Sequence, residues 1–524
     1  MTTLDGHQLS IVEAWRVAHR LTSSELADDA RPRIRKSSKF VEQLAAQPRA
    51  VYGINTGFGP LSGFRITPKE LAQHQLNLLS HLSVGQGPLF SPAETRAIML
   101  TRANTLARGH SGIREETIEL LLAALNRDVL PEIPSEGSVG ASGDLVPLAH
   151  MANLLVGRGH ARLKGERLPA ADALRATGLA PIVLQAKEGL ALVNGTSVMT
   201  GLAALSCHEA ATVLSWMELL AACLFQVLNG EPEALCEQAH KARGFRGQFM
   251  VAQRIANYLR THPEFARRIE EHQWGTSAKS VDAGVEIQDP YSLRCAPQIL
   301  GSFQEALWHV EAVVTRELNA STDNPLIFPE QEMVIHCGNF YGQQIAMVSD
   351  YLRMGLIKMA LLADRQIERL LNWRYSGGLP PLLAGSAPGL NSGFAGAQLL
   401  ATSLAAEARL LGTPASIQTI STNANNQDVV SMGCSAAKMT RAALPILWKL
   451  LAIESLAVAQ AADLHKSKDV RGGDYRKFYD LVRNVSPKLE DDRPMFEDVQ
   501  RVTEMLRSET AQRHCLRPRE TDAD

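Results

Sequence analysis

Leu447-Trp448-Lys449-Leu450-Leu451-Ala452-Ile453-Glu454 opens a run of more than twenty residues with neither glycine nor proline. Apolar side chains recur along it at helical spacing, and it outlasts an average globular helix, which points to the core of a helix bundle. Working outward, similar runs lie at 68–83, 92–108, 114–127, 197–229, 340–372 and 396–411. Strand signals are short: Ala50-Val51-Tyr52 before a glycine loop, and Met333-Val334-Ile335-His336. Strands do not alternate with helices, which argues against a doubly wound α/β sheet. The expected class is all-α, a bundle of long helices. A composition change near Ser486-Pro487-Lys488 begins a charged C-terminal tail with a short helix at 495–508.

The 524 residues carry a net charge of −2, which gives no electrostatic case for nucleic acid or an anionic membrane as partner. Met1-Thr2-Thr3-Leu4-Asp5 has neither a basic nor an apolar leader region, so secretion is not expected. A long apolar charge-free window, Gly189 to His208, is broken by polar residues such as Asn194 and Thr196 and reads as too polar to cross a bilayer. Seven cysteines are scattered, and none forms a C-x-x-C pair. They read as reduced thiols of a cytoplasmic protein without a zinc site.

Loops at the ends of a helix bundle are where function collects, and the Gly/Pro/Asn-rich islands mark them. Gly137-Ser138-Val139-Gly140-Ala141-Ser142-Gly143-Asp144-Leu145 reads on its own as a glycine-rich loop with Ser142 or Asp144 capping a helix. Val51-Tyr52-Gly53-Ile54-Asn55-Thr56-Gly57-Phe58-Gly59 lacks the Gly-Lys-Ser/Thr of a phosphate loop and reads as a glycine-hinged loop presenting Tyr52, or as a packed aromatic. Gln288-Asp289-Pro290-Tyr291-Ser292-Leu293-Arg294 offers Arg294 as a carboxylate clamp, or as an ion-pair partner of Asp289. Asn194 in Val193-Asn194-Gly195-Thr196 can donate to developing negative charge. Thr422-Asn423-Ala424-Asn425-Asn426-Gln427-Asp428 is rich in amides and suits a polar ligand or a capped turn. His74 and His81 share a helix face but lack the i, i+4 spacing of paired metal ligands, so no metal is expected.

Taken together and in their order along the chain, these islands, with Thr322-Asp323-Asn324-Pro325 and Gly338-Asn339-Phe340, resemble the aromatic amino acid ammonia-lyases and related 2,3-aminomutases. The resemblance runs from about residue 10 to 470. It implies the all-α fold of the fumarase/aspartase-like superfamily. The segments expected are 1–205 as an N-terminal domain bearing the reactive group, 206–440 as a central long-helix bundle, and 441–524 as a C-terminal helical cap. It also implies a self-made cofactor and no external one. In that chemistry the Gly143 amide nitrogen attacks the Ala141 carbonyl carbon, one water leaves, and Ser142 loses its hydroxyl as a second. The product is a methylidene-imidazolone (MIO) ring.

Carried over by residue, Ala141, Ser142 and Gly143 form the ring, and Tyr52 takes the β-proton. Arg294 binds the substrate carboxylate, with Tyr291 and Asn324 positioning it. Asn194 and Gln288 serve the ring oxygen and the amine path. Gly59, Leu145, Phe340 and Asn423 line the substrate site. The family forms homotetramers whose sites draw residues from several subunits, and its substrates are small aromatic amino acids.

The resemblance implies that selectivity is carried, as in the family, by two adjacent helical positions. Asn77-Leu78 and Gly85-x-Gly87 place His81-Leu82 there, the pair of tyrosine lyases; a shift by one would give Ser80-His81, as in histidine lyases. Gln427, Asn391 and Asn423 favour the unshifted reading. Ala395 departs from a methionine frequent in the family. A donor to a para-hydroxyl discriminates strongly against an analogue without one, so L-tyrosine going to trans-4-coumarate is expected. The rivals are a tyrosine 2,3-aminomutase giving β-tyrosine, a histidine ammonia-lyase giving urocanate, and a non-catalytic helical scaffold.

Overall fold

The computed structural model describes residues 1–271 and 288–518. In it Gly433–Leu464 is one continuous helix of 32 residues. It starts well before 446, where the sequence predicts the run to begin, and takes Pro445 inside it. An interior proline forfeits one backbone hydrogen bond; here Leu444, Leu447 and Trp448 are buried around it, and apolar packing offsets the loss. The other expected runs are helices at Leu71–Leu82, Pro92–Ala107, Glu115–Asn126, Ser197–Leu228, Gln343–Leu371 and Ala395–Leu410. The tail helix spans Phe496–Arg507. Among the described residues, strands of three or four residues form four small sheets, so the all-α class holds.

Met333–Ile335 is a strand, paired antiparallel with Leu326–Phe328. Ala50-Val51-Tyr52 is not. The Asn55 Oδ1 accepts the Val51 N–H at 2.7 Å and the Ile54 N–H reaches the Val51 carbonyl at 3.1 Å, so local bonds fold this segment into a turn.

The chain divides into two compact units. The first comprises Met1–His208, His309–Tyr351 and Pro414–Arg441; the second comprises Glu209–Trp308, Leu352–Thr413 and Ala442–Asp524. The three consecutive segments expected from sequence have cuts at 205/206 and 440/441, which fall inside the Ser197–Leu228 and Gly433–Leu464 helices.

Within the first unit, Val41, Leu44, Val51, Ile54, Leu71 and Ile327 form an apolar cluster beneath the Tyr52 turn. The second unit buries Trp216, Phe225, Trp448, Tyr475 and Phe478. Its buried polar tips are paired: Trp216 Nε1 donates to the Leu506 carbonyl at 3.0 Å and Trp448 Nε1 to Glu209 Oε1 at 2.6 Å. Glu454 differs. It is fully buried, and neither carboxyl oxygen has a hydrogen-bond partner among the described residues. Burial pushes its carboxyl up to about 8.

Two helices, Ser197–Leu228 and Gly433–Leu464, are long and apolar enough to cross a bilayer by composition. Their apolar windows are 83% and 78% buried within the protein, the mark of core helices.

Candidate active site

The Ala141-Ser142-Gly143 tripeptide sits in a backbone that only small residues permit. Ser142 and Gly143 both have positive φ, at 56° and 77°. A Cβ on Gly143 would lie 2.1 Å from the Gly195 carbonyl oxygen, because the two glycines pair as an isolated bridge. Asp144 N donates to that same Gly195 oxygen at 2.8 Å.

Two donors converge on the Ser142 carbonyl oxygen: Asn194 Nδ2 at 3.1 Å and the Gly195 N–H at 3.3 Å. The Asn194 Oδ1 is buried with no partner among the described residues. The Ser142 hydroxyl accepts from Gln427 Nε2 at 3.1 Å, across 285 residues of sequence. Gln427 is aimed by Thr422, whose hydroxyl donates to Gln427 Oε1 at 3.0 Å, and by a backbone bridge between the same two residues.

Asp144 precedes the Leu145–Leu155 helix, as the capping reading expects, but its side chain makes no cap bond there. Its Oδ2 instead accepts from Val198 N at 3.0 Å and Met199 N at 2.9 Å, in the first turn of the Ser197–Leu228 helix, and Oδ1 accepts from Ser138 Oγ at 2.9 Å. A carboxylate at a helix N-terminus is favoured by the unpaired amides and the dipole. Burial nonetheless pushes its carboxyl up to about 6, opposed by those amides, Ser138 and Arg102.

Tyr52 is half-buried; its phenol oxygen accepts from the Gly59 N–H at 3.3 Å, at the start of a short 3₁₀ turn. A Cβ on Gly59 would lie 2.6 Å from Asn423 Nδ2, which explains the glycine where this amide approaches. The Tyr52 ring meets His336 edge-on at 5.8 Å.

Two cavities open on this centre, of about 550 and about 580 Å³, within the range of small-molecule sites. Tyr52, Gly59, Ser142, Asn194, Asn426 and Gln427 line both. The first adds Asn324, His336 and Phe340. The second adds His81, Leu82, Leu145 and Asn423. His81 lies in the last turn of the Leu71–Leu82 helix. His74, one of the pair weighed for metal, instead stacks on Phe58 at 4.5 Å and bonds the Thr56 carbonyl.

Beneath the site Lys187 Nζ reaches Asp323 Oδ2 at 2.6 Å, both side chains fully buried. Asp323 Oδ1 accepts the Asn324 N–H at 2.6 Å, and Asn324 Oδ1 accepts the Cys337 N–H at 2.8 Å, so the pair anchors the loop that carries Asn324.

The first unit thus gathers the tripeptide, Tyr52, Gly59, His81, Leu82, Leu145, Asn194, Asn324, Phe340, Asn423 and Gln427 around one centre. Gln288, Tyr291 and Arg294 belong to the second unit and line neither cavity. Tyr291 is 69% exposed, and the Arg294 guanidinium lies over its ring at 4.8 Å. The ion pair weighed between Arg294 and Asp289 is not formed: Asp289 Oδ2 accepts the Glu231 N–H, and Arg294 Nε has no partner among the described residues. Asn391, read above for selectivity, also lies in the second unit, where Asp491, Ser386 and the Asp492 N–H occupy its amide. Sequence reasoning missed His336 and Arg102. No spacing signals His336, and a lone arginine in a helix carries no pattern.

A profile of the family described as aromatic amino acid lyase matches residues 9–484. A histidine ammonia-lyase of Stigmatella aurantiaca is 40% identical over 505 residues, covering 96% of each chain. Among solved structures, a tyrosine aminomutase of Streptomyces globisporus superposes with a TM-score of 0.90 at 37% identity, covering 96% of each chain. The phenylalanine aminomutase of Pantoea agglomerans gives 0.91 at 32% identity, over 98% of this chain and all of that one.

Proposed function

The chain belongs to the aromatic amino acid lyases, carbon–nitrogen lyases of the fumarase/aspartase-like fold, and from that premise we propose that it eliminates ammonia from L-tyrosine to give trans-4-coumarate. The observation that carries the substrate is the placement of His81 and Leu82 on the cavity that also exposes Ser142, Tyr52 and Leu145. A ring nitrogen of His81 can bond a para-hydroxyl, while Leu82 and Leu145 offer apolar contact to the aromatic face.

The tripeptide fits the ring it is proposed to form. Positive φ at Ser142 and Gly143 brings the chain into a tight turn, and the Gln427 amide donates to the hydroxyl that must leave as water. Asn194 and Gly195 bond the Ser142 carbonyl oxygen, the oxygen that such a ring would keep. Once closed, the ring supplies an electron-poor methylidene carbon. No external cofactor is needed.

In this reading Tyr52 accepts the β-proton at its phenol oxygen, with the Gly59 N–H supporting negative charge there. In the same reading Asn194 Oδ1, which has no partner among the described residues, accepts from the substrate amine. Arg294 clamps the substrate carboxylate, with Tyr291 helping to position it and Gln288 serving the amine path, the three supplied by another copy of the chain in a homotetramer. The exposed Tyr291, and exposed apolar residues such as Leu399 and Leu410 on the Ala395–Leu410 helix, support that assembly.

Incubation with tyrosine, phenylalanine and histidine, followed by product identification, tests the substrate. His81→Phe should depress tyrosine turnover and raise phenylalanine turnover; tyrosine activity that persists without that rise would sink the assignment. The similarity to a tyrosine aminomutase supports a second reading, in which ammonia is re-added at the β-carbon. β-Tyrosine rather than 4-coumarate as main product would select it, and urocanate from histidine would select a histidine lyase. A folded protein of full translated mass, lacking the loss of two waters, would leave only a helical scaffold.

A further inference from the structure

Arg102 lies in the Pro92–Ala107 helix with none of its side chain exposed, and it lines neither cavity. Its Nη1 donates to the Asn194 carbonyl oxygen at 2.9 Å, with only a long 3.5 Å approach to Ser197 Oγ besides. Nε and Nη2 have no hydrogen-bond partner among the described residues. The nearby carboxylates are committed elsewhere: Asp323 to Lys187, Asp144 to the first turn of the Ser197–Leu228 helix. A buried arginine kept for stability is normally paired. This one spends its one short hydrogen bond on a single peptide carbonyl.

That carbonyl has a particular place. The Asn194 oxygen and the Gly195 N–H are opposite ends of one peptide group, and its N–H end donates to the Ser142 carbonyl oxygen. A charged donor on the oxygen end draws electron density toward it and leaves the N–H more positive. Hydrogen bonds in series strengthen one another by about 10–30% each. The same bond fixes the Asn194 backbone, and with it the side chain whose Nδ2 makes the second bond to Ser142 O. Gly195 permits the approach: a Cβ there would lie 2.5 Å from Arg102 Nη1 and 2.6 Å from Thr322 Oγ1. Although burial draws the guanidinium down to about 10, it stays charged at neutral pH.

We infer that Arg102 is a positioning residue that polarises the Asn194–Gly195 peptide, and thereby strengthens the two hydrogen bonds on the Ser142 carbonyl oxygen during ring closure and turnover. The inference rests on the ring-forming reading of Ala141-Ser142-Gly143. No bond to Arg102 is made or broken, and its proton stays in place.

The test is the series Arg102→Lys, Arg102→Gln and Arg102→Met in the full-length protein, with fold checked by circular dichroism and thermal midpoint. Three quantities are read: intact mass after timed refolding, the vibrational frequency of the ring carbonyl, and kcat separately from KM. Expected is a wild-type protein two waters lighter than its translated mass. The carbonyl frequency should rise and ring closure slow in the order wild type, Lys, Gln, Met, with kcat falling about tenfold by Gln and KM nearly constant. Folded variants with the wild-type carbonyl frequency and closure rate would overturn the inference. So would aggregation of all three, which would assign Arg102 to folding. A wild-type protein of full translated mass would overturn the ring reading itself, separately from anything the variants show.

Discussion

Glu454→Gln tests the electrostatics of the core without touching the active centre. The Glu454 carboxyl, in the second unit, is fully buried with no hydrogen-bond partner among the described residues, and burial raises it from 4.5 to about 8. In the unfolded chain it ionises near 4.5, so between these values the native state holds a proton that the unfolded state has released. Stability contributed by this group therefore falls as pH rises through that window and is flat above it. The full displacement is worth about 5 kcal/mol at 1.36 kcal/mol per unit. Between pH 5 and pH 8, allowing for partial ionisation at each end, the loss is roughly 3–4 kcal/mol. Glutamine keeps the shape and a polar head but cannot ionise. Urea unfolding of wild type and variant at both pH values should show the variant gaining by about that amount from pH 5 to pH 8. The amide's own burial affects both measurements equally and cancels in the comparison. A wild-type-to-variant difference constant to within about 0.5 kcal/mol would show that Glu454 is solvated or paired, and would refute the reasoning.

Gly143→Ala forces a Cβ to 2.1 Å from the Gly195 oxygen; it should cost about 1–3 kcal/mol of stability from backbone strain and leave the protein at its full translated mass, read by mass spectrometry. Lys187→Met strands Asp323 in the core and should destabilise by about 3–5 kcal/mol. The double variant Lys187→Met/Asp323→Asn should recover part of that loss in urea melts, and a purely additive result would mean that the two charges are not coupled. Tyr52→Phe should lower kcat by about 10²–10⁴-fold while the mass stays two waters low; near-wild-type turnover would remove Tyr52 from proton transfer.

The helices were legible because burial of one face imposes its period directly on the sequence, as in Leu447–Glu454. The islands were legible as a set, since their order survives in the chain. Contacts that join distant islands were not. Nothing near Ser142 announces that Gln427 will hold its hydroxyl, or that Asp144 will cap a helix some fifty residues on rather than its own. Val51-Tyr52 reads as a strand because β-propensity reports the side chains, whereas the Asn55 amide turns this backbone through two hydrogen bonds, to the Val51 N–H and the Arg49 carbonyl. Arg294 and Tyr291 stand out in the sequence as residues, but their membership of the second unit, away from the lining of both cavities, is not encoded in the segment around them.

The meeting of Gly143 with Gly195 has a bearing on time as well as geometry. The donors to the Ser142 carbonyl come from 194–195, and the donor to its hydroxyl comes from 427. These segments are brought together only by the finished first unit, so on the ring-forming reading the covalent change follows folding. Unfolding cannot restore the lost waters. The mass of each polypeptide is then an indelible history: weighed in denaturant, a molecule still declares whether it has ever been native.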